Sequence, residues 1–151
     1  MLSARLVRMV EEHADELTQS LLEHIHESPR LAGYRGIPPE EVRRRTHEVY
    51  SHLGRWLTNR SDDAVAETFG GWGRRRHADG VPASELVFAL QMMKEHLEKY
   101  ILASGLGSSA VEIYQEEELH VLVDHFFDKA VYWVVRGYED VASAGAATAK
   151  A

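Results

Sequence analysis

The 151-residue sequence contains no cysteine. This absence excludes a disulfide framework and cysteine-based zinc or redox sites, and it suits a reducing compartment. No apolar run approaches the roughly 18 residues that a membrane-spanning helix needs. The N-terminal segment becomes acidic at Glu11 and Glu12, before the apolar stretch of a signal peptide could develop. We therefore predict a cytoplasmic protein that does not enter a membrane.

Basic residues are in the minority, with 17 Lys and Arg against 24 Asp and Glu, so the net charge is −7. A negative domain repels nucleic acid and anionic lipid, and neither is an expected partner. Hydrophobic residues make up 44% and charged residues 27% of the chain, which is typical of a folded protein. The length fits one domain better than two.

Sustained strand-like alternation is also missing, whereas five segments carry apolar residues at the helical spacing. They predict an all-α bundle of about five helices with a long C-terminal helix. The helix boundaries fall at Ser28-Pro29, Pro38-Pro39, Ser61, Asp79-Gly80-Val81-Pro82 and the capping box that begins at Ser109. We expect a single domain over residues 1–141 and a flexible tail over residues 142–151.

The last helix has two apolar stripes between residues 119 and 138, so it should be buried on more than one side. A seam between two copies of the chain is the simpler account, and a central position inside one chain is the alternative. The residues expected at the seam are Phe126, Phe127, Val131, Val134 and Tyr138.

The nine histidines and the Glu-x-x-His pairs at 23–26 and 117–120 invite a metal interpretation. Both pairs fall on polar helix faces, however, and no motif of a zinc enzyme, a nucleophilic serine or a phosphate loop is present. We predict no metal site and no catalytic activity.

Two local patterns have a structural interpretation. The glycines of Gly70-Gly71-Trp72-Gly73 predict either a bend or a close backbone contact in the third helix. The run at 43–45 is typical of a solvated helix face with ion pairs, and the run Arg74-Arg75-Arg76 favours a local salt-bridge cluster. A site for an anion or for a carboxylate of a partner remains open for the second run.

Several motifs in a fixed order resemble a known family. They are Leu53-Gly-Arg-Trp-Leu57, Gly73-Arg-Arg-Arg-His-Ala-Asp-Gly-Val-Pro-Ala-Ser-Glu-Leu86, Lys94, Phe126-Phe-Asp-Lys-Ala130 and Arg136-Gly-Tyr-Glu139. Together they resemble the N-terminal domain of RsbR/RsbRD-type regulators, which also precedes some bacterial histidine kinases. The likeness extends from about Leu2 to Val141.

The resemblance implies a globin-like fold, usually without haem, that forms homodimers and projects from stressosome assemblies ahead of an output domain. It therefore implies a sensory, signal-input domain of a bacterial stress-response or signalling regulator. No output domain follows here, so we expect the signal to reach a partner protein or the rest of a longer chain. We predict no cofactor.

An internal pocket, if formed, should be lined by Phe69, Trp72, Met93 and Leu97. The alternative is a haem-binding gas sensor with His77 as the proximal ligand, because this residue precedes the last two long helices.

Overall fold

The computed structural model describes residues 4–59, 61–104 and 109–150, with side chains as far as residue 145. These residues form seven α-helices and one 3₁₀ helix, with no strand among them. In chain order they are α1 (Ala4–Glu12), α2 (Ala14–Glu27), the 3₁₀ helix (Pro29–Gly36), α3 (Pro39–Ser51), α4 (Leu53–Thr58), α5 (Asp63–Ala78), α6 (Ala83–Ser104) and α7 (Ala110–Lys150). The all-α class and the long last helix are confirmed, and the likeness to globins stays a prediction.

The predicted five helices become seven because the first and second are each interrupted at a histidine. His13 and His52 leave helical geometry, with φ/ψ of −107°/20° and −120°/29°. Each ring Nδ1 lies within hydrogen-bond distance of the carbonyl oxygen four residues earlier, 2.8 Å from Met9 and 3.1 Å from Glu48. The same contact at His24, whose Nδ1 lies 2.9 Å from the Ser20 carbonyl oxygen, leaves α2 unbroken, so this contact alone does not account for the two breaks.

The contact between α5 and α7 is the most extensive in the fold. A Cβ atom on Gly73 would overlap the Val134 carbonyl oxygen, and one on Gly137 would overlap the Gly70 carbonyl oxygen. The two backbones therefore touch directly. Because α5 is continuous from Asp63 to Ala78, the glycines serve close approach and not a bend.

The helix α7 is roughly 60 Å long, against about 33 Å for α6, at 1.5 Å per residue. It contacts α4, α5 and α6, while α1 and α2 pack on α3 and on α6. The segment predicted as a flexible tail continues the helix as far as Lys150. Within the described residues, no helix combines the length and the apolar character that crossing a bilayer requires.

Candidate functional site: a buried cavity beside an arginine cluster

A small cavity of about 30 Å³ lies where α2, the 3₁₀ helix, α3, α5 and α6 meet. This volume admits about two water molecules. Its apolar wall is formed by Leu21, Ile25, Val42, Trp72, Leu86, Ala89, Leu90 and Met93. Tyr34 and Thr46 contribute hydroxyl groups, and the only charged residues in the lining are Arg45 and Arg76.

Two of the four residues predicted to line an internal pocket, Trp72 and Met93, lie on this cavity. The other two are buried outside its lining. Leu97 is fully buried in the core, and Phe69 lies in an aromatic cluster, 5.8 Å from the Trp56 ring and 5.7 Å from the Phe126 ring. The structure thus divides the predicted set between a cavity wall and a filled core.

Arg76 is the best-covered charged side chain of the site, with the residue only 3% exposed. Its Nη1 donates to Glu41 Oε1 at 3.1 Å and to Asp79 Oδ2 at 2.9 Å. Arg75 reaches the same two carboxylates at 3.6 Å, and Arg45 reaches Glu41 at 3.4 Å. A buried guanidinium needs such partners, so three arginines share two carboxylates in a local salt-bridge cluster.

Arg45 connects this cluster to the cavity. Its guanidinium lies over the Trp72 ring, 5.7 Å from the centroid, and its Nε is buried without a hydrogen-bond partner among the described residues. Burial and the nearby charge of Arg76 lower the pKa of Arg45, against the opposing effect of Glu41. The arginine is thus incompletely paired on the side where its Nε is buried.

Tyr34 forms the part of the wall that comes from the 3₁₀ helix. The guanidinium carbon of Arg76 lies over its ring, 5.7 Å from the centroid. Burial raises the pKa of Tyr34 to about 12, although the charge of Arg76 acts in the opposite direction. The 3₁₀ helix is held against α6 because the Gly33 backbone N–H donates to Glu85 Oε2 at 2.9 Å.

The residues predicted at a dimer seam lie mainly inside a single chain. Phe126, Phe127 and Val134 are buried in the core, Val131 packs against it, and Tyr138 donates from its hydroxyl to the Val81 carbonyl at 2.7 Å. Their assignment to an exposed seam needs correction, since α4, α5 and α6 already cover this side of α7.

A different side of α7 is exposed. Four large apolar side chains project there at spacings of 3, 7 and 11 residues, which place them on one helix face opposite the buried stripe. They are Val111 (66% exposed), Tyr114 (74%), Val121 (51%) and Tyr132 (55%), and we call them the outer face of α7. Their spacing is visible in the sequence. The stripe that is buried contains more apolar residues, and the dimer seam was predicted there for that reason.

His77 does not occupy the position that the haem alternative requires. Its ring lies edge-on against Tyr138, 4.9 Å between centroids, and it is not part of the cavity lining. The cavity is also about ten times smaller than the pockets of about 300 Å³ or more that hold cofactor-sized ligands. The residues present do not fit a haem group.

Metal ligands do not converge in the described residues, where no group of three histidine, aspartate or glutamate side chains could hold an ion. Glu23, His26 and Glu117 are exposed, and His120 lies 3.9 Å from Glu116.

The geometry defines an all-α domain with a small, partly charged cavity and a long last helix. The model of the RsbT co-antagonist protein rsbRD N-terminal domain matches residues 11–150, and the chain belongs to this family. The family is sensory and regulatory, and its recognition from the sequence motifs is confirmed. No curated protein and no solved structure is significantly similar to the chain.

Proposed function

We propose that this chain is a non-catalytic signal-input domain that pairs with a second copy through the outer face of α7. Along α7 it passes a signal to a protein partner or an output domain. The observation that carries the proposal is the row of exposed apolar side chains from Val111 to Tyr132, which extends over roughly 31 Å of helix.

Single exposed apolar residues are ordinary, but an aligned row of four suggests a contact surface. A two-fold axis across α7 would place each row against its copy, so that the same residues cover one another.

The position of α7 supports a role in transmission. It contacts α4, α5 and α6, so a change in the packing of these helices would shift or rotate α7. Near its start, Val111 and Tyr114 are exposed to solvent.

The family name supplies the expected partner. A domain of an RsbT co-antagonist acts in a system that contains RsbT, and we infer that the signal of this chain reaches RsbT directly or through neighbouring proteins. A cytoplasmic location stays a prediction from the sequence.

Sedimentation velocity over a range of protein concentrations tests the pairing. We expect a dimer for the unmodified chain and a monomer for Val121→Glu, with unchanged helicity by circular dichroism. The matched control is Ile113→Glu, which places the same charge at a similarly exposed position (48%) on another flank of α7 and should leave the dimer intact. A monomeric unmodified chain, or equal effects of both substitutions, would contradict the proposal.

Partner binding is tested separately by titrating purified RsbT with the unmodified chain and with Val121→Glu. We expect tighter binding to the dimer. If the monomer bound RsbT equally well, pairing would have no part in transmission.

A further inference from the structure

We infer that the cavity and an adjoining surface groove form a binding site for a small monocarboxylate with an apolar chain, whose carboxylate group pairs with Arg45. The proposal of the site is argued from the residues that line it. The proposal that its ligand is the sensed signal rests, in addition, on the function proposed above.

The charge of the lining favours an anion. Arg45 and Arg76 are the only charged residues in it, although the protein as a whole is acidic. The Nη1 of Arg76 is engaged by Glu41 and Asp79. Arg45 differs, because only its Nη2 is engaged, by Glu41, while its Nε is buried and unpaired within the described structure.

Arg45 offers an anion only its Nε–H on this edge of the guanidinium, because the neighbouring Nη2 is engaged by Glu41. This N–H would donate to one oxygen of a carboxylate. A charge-assisted pair of this kind would satisfy the Nε of Arg45 more strongly than a neutral acceptor would.

The rest of the lining favours an apolar body on the ligand. Eight of the twelve lining residues are apolar, and the Trp72 ring lies under the Arg45 guanidinium. An inorganic anion such as phosphate, hydrated on all sides, would lose water against these walls without compensation. A carboxylate with an alkyl chain matches both parts of the surface.

The chain of the ligand would extend into a neighbouring groove. This surface groove has a volume of about 350 Å³ and shares Ile25, Tyr34 and Val42 with the cavity. Leu22, Ile37 and Pro39 add apolar wall, and the rest of the groove lining is polar or charged: Gln19, Glu23, His26, Glu27, Arg35 and Arg43. Since the cavity alone has room for about two water molecules, it would hold the carboxylate while the groove holds the chain.

Two hydrogen bonds connect the cavity wall to α7. The Arg76 carbonyl accepts from the Val81 N–H at 3.0 Å, and the Val81 carbonyl accepts from the Tyr138 hydroxyl at 2.7 Å. Glu41 pairs with both Arg45 and Arg76, so a ligand that binds Arg45 would change the position of Arg76 and thereby act on the helix that we propose as the output element.

The test uses sodium hexanoate as the probe and follows two NMR resonances, the Arg45 Nε–H and the Trp72 indole N–H, the second of which is also present in Arg45→Gln. We expect a saturable shift with hexanoate and none with 1-hexanol or inorganic phosphate. Arg45→Gln should weaken binding roughly tenfold or more, as loss of a charge-assisted pair predicts. The matched control Arg44→Gln changes the exposed neighbouring arginine, outside the lining, and should bind normally.

A second variant keeps the test decisive if Arg45→Gln does not fold. Ala89→Leu fills the cavity from α6 and leaves Arg45 intact, and it should abolish hexanoate binding. The inference is overturned if hexanoate causes no saturable shift, if hexanol or phosphate binds equally well, or if the Arg44 and Arg45 variants behave alike.

The same titration separates this site from the proposed pairing. Val121 belongs to α7, from which no residue of the described cavity lining comes, so Val121→Glu should bind hexanoate like the unmodified chain. Binding without any effect on assembly or on RsbT would leave the site in place and refute its role as the signal. A chain that forms the dimer but does not bind hexanoate would refute the carboxylate site and leave the proposed pairing in place.

Discussion

Gly137 of α7 lies so close to Gly70 of α5 that a Cβ atom on Gly137 would also come within 2.8 Å of the Gly70 Cα and carbonyl carbon. Backbone atoms cannot move aside as a flexible side chain can, so this crossing admits no side chain. The crossing brings together α5 and α7, which share the most extensive contact in the fold, and it fixes the position of α7.

Gly137→Ala should therefore destabilise the protein by about 1–3 kcal/mol, the usual cost of overpacking, even though alanine favours a helix. The control is Gly71→Ala, one residue from Gly70, where the nearest atom to a new Cβ is the Arg74 Nη2 at 3.8 Å. That substitution should raise stability by about 0.5–1 kcal/mol. Urea unfolding followed by circular dichroism measures the change in the free energy of unfolding for both variants. If the two changes had the same sign, the close backbone crossing would be refuted.

Tyr50 joins α3 to α6 from inside the core. It is fully buried, and its hydroxyl donates to the Met93 carbonyl at 2.7 Å, next to the cavity. Tyr50→Phe removes the donor and should cost about 1 kcal/mol. Tyr132→Phe, at an exposed position, should change the free energy of unfolding by less than about 0.5 kcal/mol. Equal effects of the two substitutions would show that the buried hydrogen bond contributes nothing.

Much of the fold follows from helical periodicity, since the five predicted segments correspond to the observed helices. The breaks at His13 and His52 were not predictable, because no proline stands at either position and the helical spacing of apolar residues continues across both. The apolar stripes of α7 were also visible. The sequence did not show which element covers these stripes. Gly70, Gly73 and Gly137 let α5 approach α7 closely, so that other helices of the same chain cover both stripes.

The site was only partly predictable for a related reason. Arg45 lies three residues after Val42 and four before Val49, so the helical period already placed it beside the buried stripe of α3. Its position within a run of three arginines favoured a solvated face instead. Only the three-dimensional structure shows that Arg76 is buried, with its Nη1 bonded to both Glu41 and Asp79.

Glu98 on α6 should make stability depend on pH. Burial, and then the hydrogen bond to Asp124 and its charge, raise the pKa of Glu98 from 4.5 to about 7, against the opposing charge of Lys94. The folded state then binds more protons than the unfolded state between these values. The contribution of Glu98 is therefore present at low pH and is lost as pH rises from about 4.5 to 7.

Urea unfolding at several pH values checks this expectation. The stability advantage of the unmodified chain over Glu98→Gln should shrink steadily as pH rises through that window. The exposed neighbour provides the control, because Glu95→Gln should show no such trend. A constant difference between the unmodified chain and Glu98→Gln across the window would contradict the raised pKa.

The contact between His96 on α6 and His24 on α2 should make stability depend on pH in the direction opposite to that of Glu98. His96 Nε2 lies 2.9 Å from His24 Nδ1, and burial, followed by the charge of His24, lowers the pKa of His96 below 6.5. The unfolded state then binds the proton more readily, so this contribution to stability is lost as pH falls below 6.5 and through the lowered value. His24→Gln should move the pKa of His96 up towards 6.5 and weaken the acid destabilisation. An NMR titration of the His96 ring measures the change, with the exposed His26→Gln on the same helix as control; identical shifts in the two variants would remove the role assigned to His24.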